Sequence, residues 1–133
     1  MIAVDTSALI SILADEPEAQ AFRSVLATTE AVIGAPMFLE FAMIAIVKSP
    51  VITSTDLSKV LDYLNVNVVD FAAEDARISE AAFRKYGKGR HKAALSFGAC
   101  CSYATAPARS LPLLFKGNDL VSTDLASAFA LPR

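Results

Sequence analysis

Ile2-Ala3-Val4 is a short apolar run that stops abruptly at Asp5-Thr6-Ser7, after which Ala8, Leu9, Ile10, Ile12 and Leu13 resume as a buried helix. This pattern predicts a strand, a turn and a helix. Asp15-Glu16-Pro17 interrupts it, and residues 18–28 read as a second helix with Pro17 near its first turn. A short strand at 31–33 is followed by Gly34 and Pro36, then by a strongly apolar helix over 37–48 that carries Glu40 and is closed by Pro50. Thr55 is placed to cap a helix running to about residue 64, and the β-branched 66–69 suits a strand. A helix over 72–85 has Glu74 and Asp75 in its first turn and Arg84 and Lys85 in its last, as the helix dipole favours. The loop Tyr86-Gly87-Lys88-Gly89-Arg90-His91 comes next, then a helix from 97 or 98 to about 106 and a last main strand at 111–115. Strands alternating with helices imply a mostly parallel central sheet in a three-layer α/β/α sandwich. Ligands in such folds gather at the carboxyl ends of the strands.

At 133 residues the chain is expected to form one domain, residues 1–133. Hydrophobic residues make up 54% and charged residues 20%, more apolar surface than a monomer of this size is expected to hide, which favours an interface with another chain. The most membrane-like stretch, 31–47, contains Pro36 and Glu40 and is shorter than the ~20 apolar residues a bilayer requires, so it reads as buried core and no membrane partner is expected. The amino terminus has no basic region and no cleavage pattern, which predicts a cytoplasmic location. Cys100 and Cys101 are adjacent, poor geometry for a mutual disulfide and no pattern for zinc, so they read as reduced, packed thiols.

The net charge of −2 hides an uneven distribution. Arg84, Lys85, Lys88, Arg90 and Lys92 lie in one ten-residue segment with His91 and no acidic residue, whereas the remaining chain has seven basic against fourteen acidic side chains. A positive patch on an acidic body suits a phosphate-binding protein with a carboxylate-lined metal site, although a solvated helix end and turn would look the same.

Three carboxylates stand out. Asp5 falls at the end of the first strand, where it can cap the following helix or face the crevice at the sheet edge. Glu40 sits among Met37, Phe38, Leu39, Phe41, Ala42 and Ile44, where a buried carboxylate needs a cation, either a metal or a nearby Lys or Arg. Asp119 follows the last strand through Lys116-Gly117-Asn118, and Asp124 lies one short loop later; turn chemistry alone could place either. Carboxylates from separate elements converging on one sheet edge suit a hard cation such as Mg²⁺ or Mn²⁺.

These segments carry a family resemblance. Ile2-Ala3-Val4-Asp5-Thr6-Ser7-Ala8-Leu9, Asp15-Glu16-Pro17-Glu18-Ala19, Leu39-Glu40, Tyr86-Gly87-Lys88-Gly89-Arg90-His91, Ser96-Phe97-Gly98-Ala99-Cys100, Ser102-Tyr103-Ala104 and Leu114-Phe115-Lys116-Gly117-Asn118-Asp119 together resemble the VapC toxins of bacterial type II VapBC toxin-antitoxin systems, in order and along nearly the whole chain. The resemblance implies a PIN fold, an endoribonuclease dependent on Mg²⁺ or Mn²⁺, a homodimer, and inhibition by a cognate VapB antitoxin through which alone DNA is reached. It makes Asp5 the first metal ligand, Glu40 the second acid and Asp119 the late acid. Thr6 or Ser7 would steady Asp5 through a hydroxyl, and Asp124 would sit at the margin of the site. Arg84, Lys88, Arg90 and Lys92 are expected to hold RNA phosphates.

One position departs from the family pattern: Ala99 stands where an Asp is expected as a principal metal ligand. A methyl group cannot bind a cation, so weakened metal binding and impaired activity are expected of this chain. An engineered change that lets cells survive a toxin and a natural loss would both produce it; the intact Gly98, Cys100 and remaining acids favour the first. A catalytically silent binding module that keeps the antitoxin surface is the alternative in another class. A haloacid-dehalogenase-like phosphatase would need an Asp where Ser7 stands, and Gly87-Lys88-Gly89 lacks the spacing of a phosphate-binding P-loop.

Overall fold

The computed structural model describes residues 1–117, 120–124 and 127–128. In chain order it contains β1 (Ile2–Val4), α1 (Thr6–Leu13), α2 (Ala19–Leu26), β2 (Ala31–Gly34), α3 (Ala35–Lys48), α4 (Ser54–Tyr63), β3 (Val66–Val69), α5 (Ala73–Tyr86), α6 (Phe97–Ala108), β4 (Leu113–Leu114) and a single 3₁₀ turn at Leu120–Ser122. The four strands form one parallel sheet in the order β3-β2-β1-β4. The chain steps outward from β1 to β2 to β3 and then returns to the other side of β1. The direction of winding therefore reverses at β1, and an open parallel sheet forms its ligand crevice at such a reversal.

Strand alternation divides the interior in two. Ile2, Val4, Ile33 and Leu114 face a core completed by Leu9, Phe22, Phe41 and Leu61 from α1 to α4. Ala3, Val32 and Leu113 face a second core with Tyr86, Leu95, Cys100 and Ala106. Helices thus cover both faces of the sheet, and each fully buried Leu, Ile or Phe contributes about 1.5–3 kcal/mol. This is the expected three-layer α/β/α arrangement.

Several boundaries differ from expectation for local reasons. Pro36 falls in the first two positions of α3 instead of preceding the helix, because its missing N–H would have no intrahelical partner there. Pro17 lies in the turn before α2, which is shorter than expected at both ends. Thr53, not Thr55, caps α4: its hydroxyl accepts the Asp56 N–H at 3.1 Å, while the Asp56 carboxylate accepts the Thr53 N–H at 2.9 Å. Those bonds to Thr53 hold the Asp56 carboxyl below its usual pKa. The last strand is reduced to Leu113–Leu114.

The apolar stretch 31–47 is buried core only in part. Met37, Phe41, Ala42 and Ala45 are buried, but Leu39, Met43, Ile46 and Val47 are exposed. α3 carries apolar residues on nearly every side, and packing against the sheet, α1 and α6 still leaves one side as a hydrophobic surface. Among the described residues no helix is long and apolar enough to cross a membrane.

The basic loop is closed by backbone bonds: the Leu95 N–H donates to the Tyr86 carbonyl at 2.9 Å and the Lys88 N–H to the Leu95 carbonyl at 3.1 Å. Gly87 makes this closure possible, since a Cβ there would lie 2.4 Å from the Phe83 carbonyl oxygen and 2.5 Å from the Phe83 ring. Backbone cannot yield as a flexible side chain can. Gly87→Ala is expected to destabilise the fold by about 1–3 kcal/mol through overpacking, read as a fall of several degrees in Tm; an unchanged Tm would contradict this packing.

Candidate metal centre

Asp5 is fixed from three directions. Its backbone N–H donates to the Leu114 carbonyl at 2.9 Å, continuing the β1–β4 ladder beyond the last strand residue. One carboxylate oxygen accepts the Ser7 N–H at 2.9 Å, which makes Asp5 the N-cap of α1. The other accepts the hydroxyl of Ser102 from α6. The capping and crevice-facing readings of Asp5 are therefore compatible, because a carboxylate has about four lone-pair positions and the two bonds occupy only part of them.

Glu40 enters the same space from α3. Its carboxylate lies against Gly98 near the start of α6, where an added Cβ would come within 2.8 Å of Oε2 and 3.3 Å of Oε1. Asp5, Glu40, Ser96, Ala99 and Lys116 are among the residues that line one crevice of about 250 Å³. Residue 99 thus faces the two carboxylates from a third element. Its N–H is bonded to the Ser96 hydroxyl, the N-cap of α6, at 3.3 Å.

The supporting residues are arranged differently from the sequence reading. Thr6 is buried and donates its hydroxyl to the Met37 carbonyl at 3.0 Å, tying α1 to α3 without touching Asp5. Ser7 steadies Asp5 through its N–H, while its hydroxyl accepts the Lys116 N–H at 2.9 Å. The hydroxyl that does hold Asp5 belongs to Ser102, 97 residues away and 1% exposed. Its signal in the sequence was a serine three residues after position 99, hence on the same face of an apolar helix.

Asp119 lies outside the described residues. Asp124 is not among the residues lining the crevice: its carboxylate accepts the Tyr103 hydroxyl at 2.6 Å. That bond lowers the Asp124 pKa, with Lys85 adding to the effect; burial foremost, and then Asp124, raises that of Tyr103. Of the expected RNA contacts, Arg84 is paired with Glu80 at 3.0 Å, and Arg90 lies over the Phe83 ring at 5.6 Å. Lys88, Arg90 and Lys92 are exposed in a loop that precedes Ser96, a residue of the crevice lining, by four residues, and none of the three lines the crevice itself. Both cysteines are buried and free, with burial pushing the Cys101 thiol up to about 11, so neither offers a thiolate.

Among the described residues the metal-ligating side chains lining the crevice offer oxygens, which suits Mg²⁺ or Mn²⁺ better than a metal that prefers thiolate or imidazole. They fit such a cation in kind but are few. Among the described residues no group of three or more His, Cys, Asp or Glu side chains could hold a metal; Asp5 and Glu40 share the crevice with the methyl group of Ala99.

The PIN domain family matches residues 2–125. The chain is 38% identical to Ribonuclease VapC30 of Mycobacterium tuberculosis over 130 residues, which cover 97% of this chain and 98% of that protein. Two solved structures share its fold: M. tuberculosis VapC20, a sarcin-ricin loop cleaving toxin, with a TM-score of 0.72 and 12% identity over 96% of this chain and 98% of that one, and a toxin-antitoxin complex from Klebsiella pneumoniae, with a TM-score of 0.68 and 18% identity over 93% of both chains.

The Gly98–Glu40 approach yields a test that separates site geometry from stability. In Gly98→Ala the clash falls on the end of a flexible side chain, so Glu40 moves and the helix does not. Stability should change by less than about 1 kcal/mol, whereas Mn²⁺ affinity, measured in a chain also carrying Ala99→Asp, should fall by about tenfold. Unchanged Mn²⁺ affinity would mean that Glu40 does not contribute from this position.

Proposed function

We propose, for a chain that belongs to the VapC toxins of the PIN-domain family, that the Asp5–Glu40 crevice is the divalent-metal centre of an endoribonuclease. The observation that supports it best is the meeting of Asp5 from β1, Glu40 from α3 and position 99 of α6 around one crevice at the winding reversal of the sheet. Asp5 and Glu40 would hold Mg²⁺ or Mn²⁺, with Asp119 completing the ligand set. The bound cation would supply Lewis-acid stabilisation and an activated water for phosphodiester hydrolysis. The Ser102 hydroxyl and the Ser7 N–H orient Asp5, and Lys88, Arg90 and Lys92 hold RNA phosphates at the mouth, with Arg84 behind them. The reaction takes place in the bacterial cytoplasm, where RNA is found.

Ala99 makes this form a weak enzyme. Without a third carboxylate the cation competes poorly with its own hydration, while folding and partner binding do not depend on position 99. Two apolar surfaces suit those partners. A groove of about 340 Å³ between α1 and α4, lined by Leu9, Leu13, Val60 and Tyr63 with Lys59 at its edge, would take an apolar segment of the cognate VapB antitoxin. The exposed side chains of Leu39, Met43 and Phe97 flank Glu40 and Gly98 and would be covered by a second copy in a homodimer.

Ala99→Asp is expected to raise metal-dependent RNA cleavage by roughly a hundredfold or more, the scale on which several kcal/mol of charge stabilisation acts. EDTA should abolish that activity, as should Asp5→Ala in the same chain. An Ala99→Asp chain that stays inert with Mn²⁺ across a broad RNA panel would favour a silent antitoxin-binding module instead. Neutralising Lys88, Arg90 and Lys92 together should weaken RNA binding and reduce the slope of log affinity against log salt by about two units. If affinity and slope were unchanged, the basic loop would be only a solvated turn.

A further inference from the structure

Lys116 is the one basic side chain among the described residues lining the acidic crevice. Its main chain is anchored beside Asp5, since the Lys116 N–H and the Asp5 carboxylate are both bonded to Ser7. Its ammonium is nevertheless held elsewhere: it donates to the Glu16 carboxylate and lies 3.3 Å from Glu18 Oε2. Glu16 and Glu18 flank Pro17 in the turn after α1, a hundred residues earlier in the chain. All three side chains are about one-third exposed, so the triplet is neither solvated surface nor closed core. The pairing raises the Lys116 pKa, chiefly through Glu16; the Glu18 pKa is lowered first by the backbone N–H of Glu18 itself, with Lys116 adding to the effect.

We propose that Glu16 and Glu18 are positioning residues that hold the Lys116 ammonium away from Asp5 and Glu40, and so keep the crevice open to a divalent cation. The inference rests on the metal-centre reading above. A lysine on a flexible four-carbon stem, released beside two carboxylates, would become their counterion. In a partly buried crevice that attraction is stronger than in bulk water, before desolvation and ordering are subtracted. A divalent cation would then have to displace an ammonium tethered to the site. Two glutamates against one lysine remove that competitor, and the excess negative charge adds to the field that draws a cation in. The Asp15-Glu16-Pro17-Glu18 turn, which contributes nothing to the crevice lining, thereby acquires a role at the metal centre.

A thermodynamic cycle tests this, using Mn²⁺ titrations followed by electron paramagnetic resonance on the full chain carrying Ala99→Asp. Salt of about 0.3 M shortens the screening length to well under 10 Å and suppresses distant charge effects. Glu16→Gln/Glu18→Gln should weaken Mn²⁺ binding by about tenfold, Lys116→Met alone should change it by less than about twofold, and the triple substitution should return it to within about twofold of the parent. A merely structural tether predicts no such rescue. The proposal is overturned if the double substitution leaves affinity unchanged, if Lys116→Met tightens binding equally in both backgrounds, or if the triple substitution stays as weak as the double. Mn²⁺ binding that ignores the cycle would defeat this inference alone. Failure of every chain to bind Mn²⁺ would defeat the metal-centre reading as well.

Discussion

A parallel sheet wound outward in one direction and then in the other leaves a crevice where the direction changes, and here that point is the end of β1. Asp5 is the residue at that end, and everything proposed for this chain depends on how it is held. Its backbone extends the β1–β4 ladder, while its carboxylate is bonded to the first turn of α1 and to the interior of α6. A free carboxylate on a strand end would sample several rotamers. Fixed by two donors, it retains unused lone pairs and lines a crevice that Glu40 also lines from α3. Binding through preorganised oxygens avoids part of the ordering cost that a mobile side chain would incur.

Under the proposed metal centre, position 99 would matter out of proportion to its size. Carboxylates gathered in one crevice repel each other unless a cation is present, so a metal-free chain gains from losing one of them and a metal-loaded chain loses. In the proposed metal centre Ala99 would shift that balance toward the metal-free state and would leave the α6 N-cap intact, because Ser96 bonds the backbone of residue 99 and not its side chain.

Much of the fold was legible because alternation in the strands and apolar spacing in the helices are strong local signals. The parallel sheet followed from strands alternating with helices, and Asp5 followed from the abrupt end of an apolar run. Long-range pairings were not legible. Nothing in the spacing joins Ser102 to Asp5 or Lys116 to Glu16, since such contacts arise only when α6 and the end of β4 are brought against α1. The family resemblance gives the hydroxyl of Thr6 or Ser7 to Asp5, but helix geometry turns one toward Met37 and the other toward Lys116. The helix over 37–48 misled in the opposite way. Its apolar character suggested complete burial, whereas the sheet, α1 and α6 together leave one side of it uncovered.

The most direct measurement is anomalous diffraction from crystals of this chain soaked in Mn²⁺. A metal centre at the β1 switch point predicts an anomalous peak within about 2.0–2.6 Å of carboxylate oxygens from both Asp5 and Glu40, at partial occupancy that rises in crystals carrying Ala99→Asp. An Ala99→Asp crystal with no peak in that crevice, or with Mn²⁺ bound only elsewhere on the surface, would contradict it.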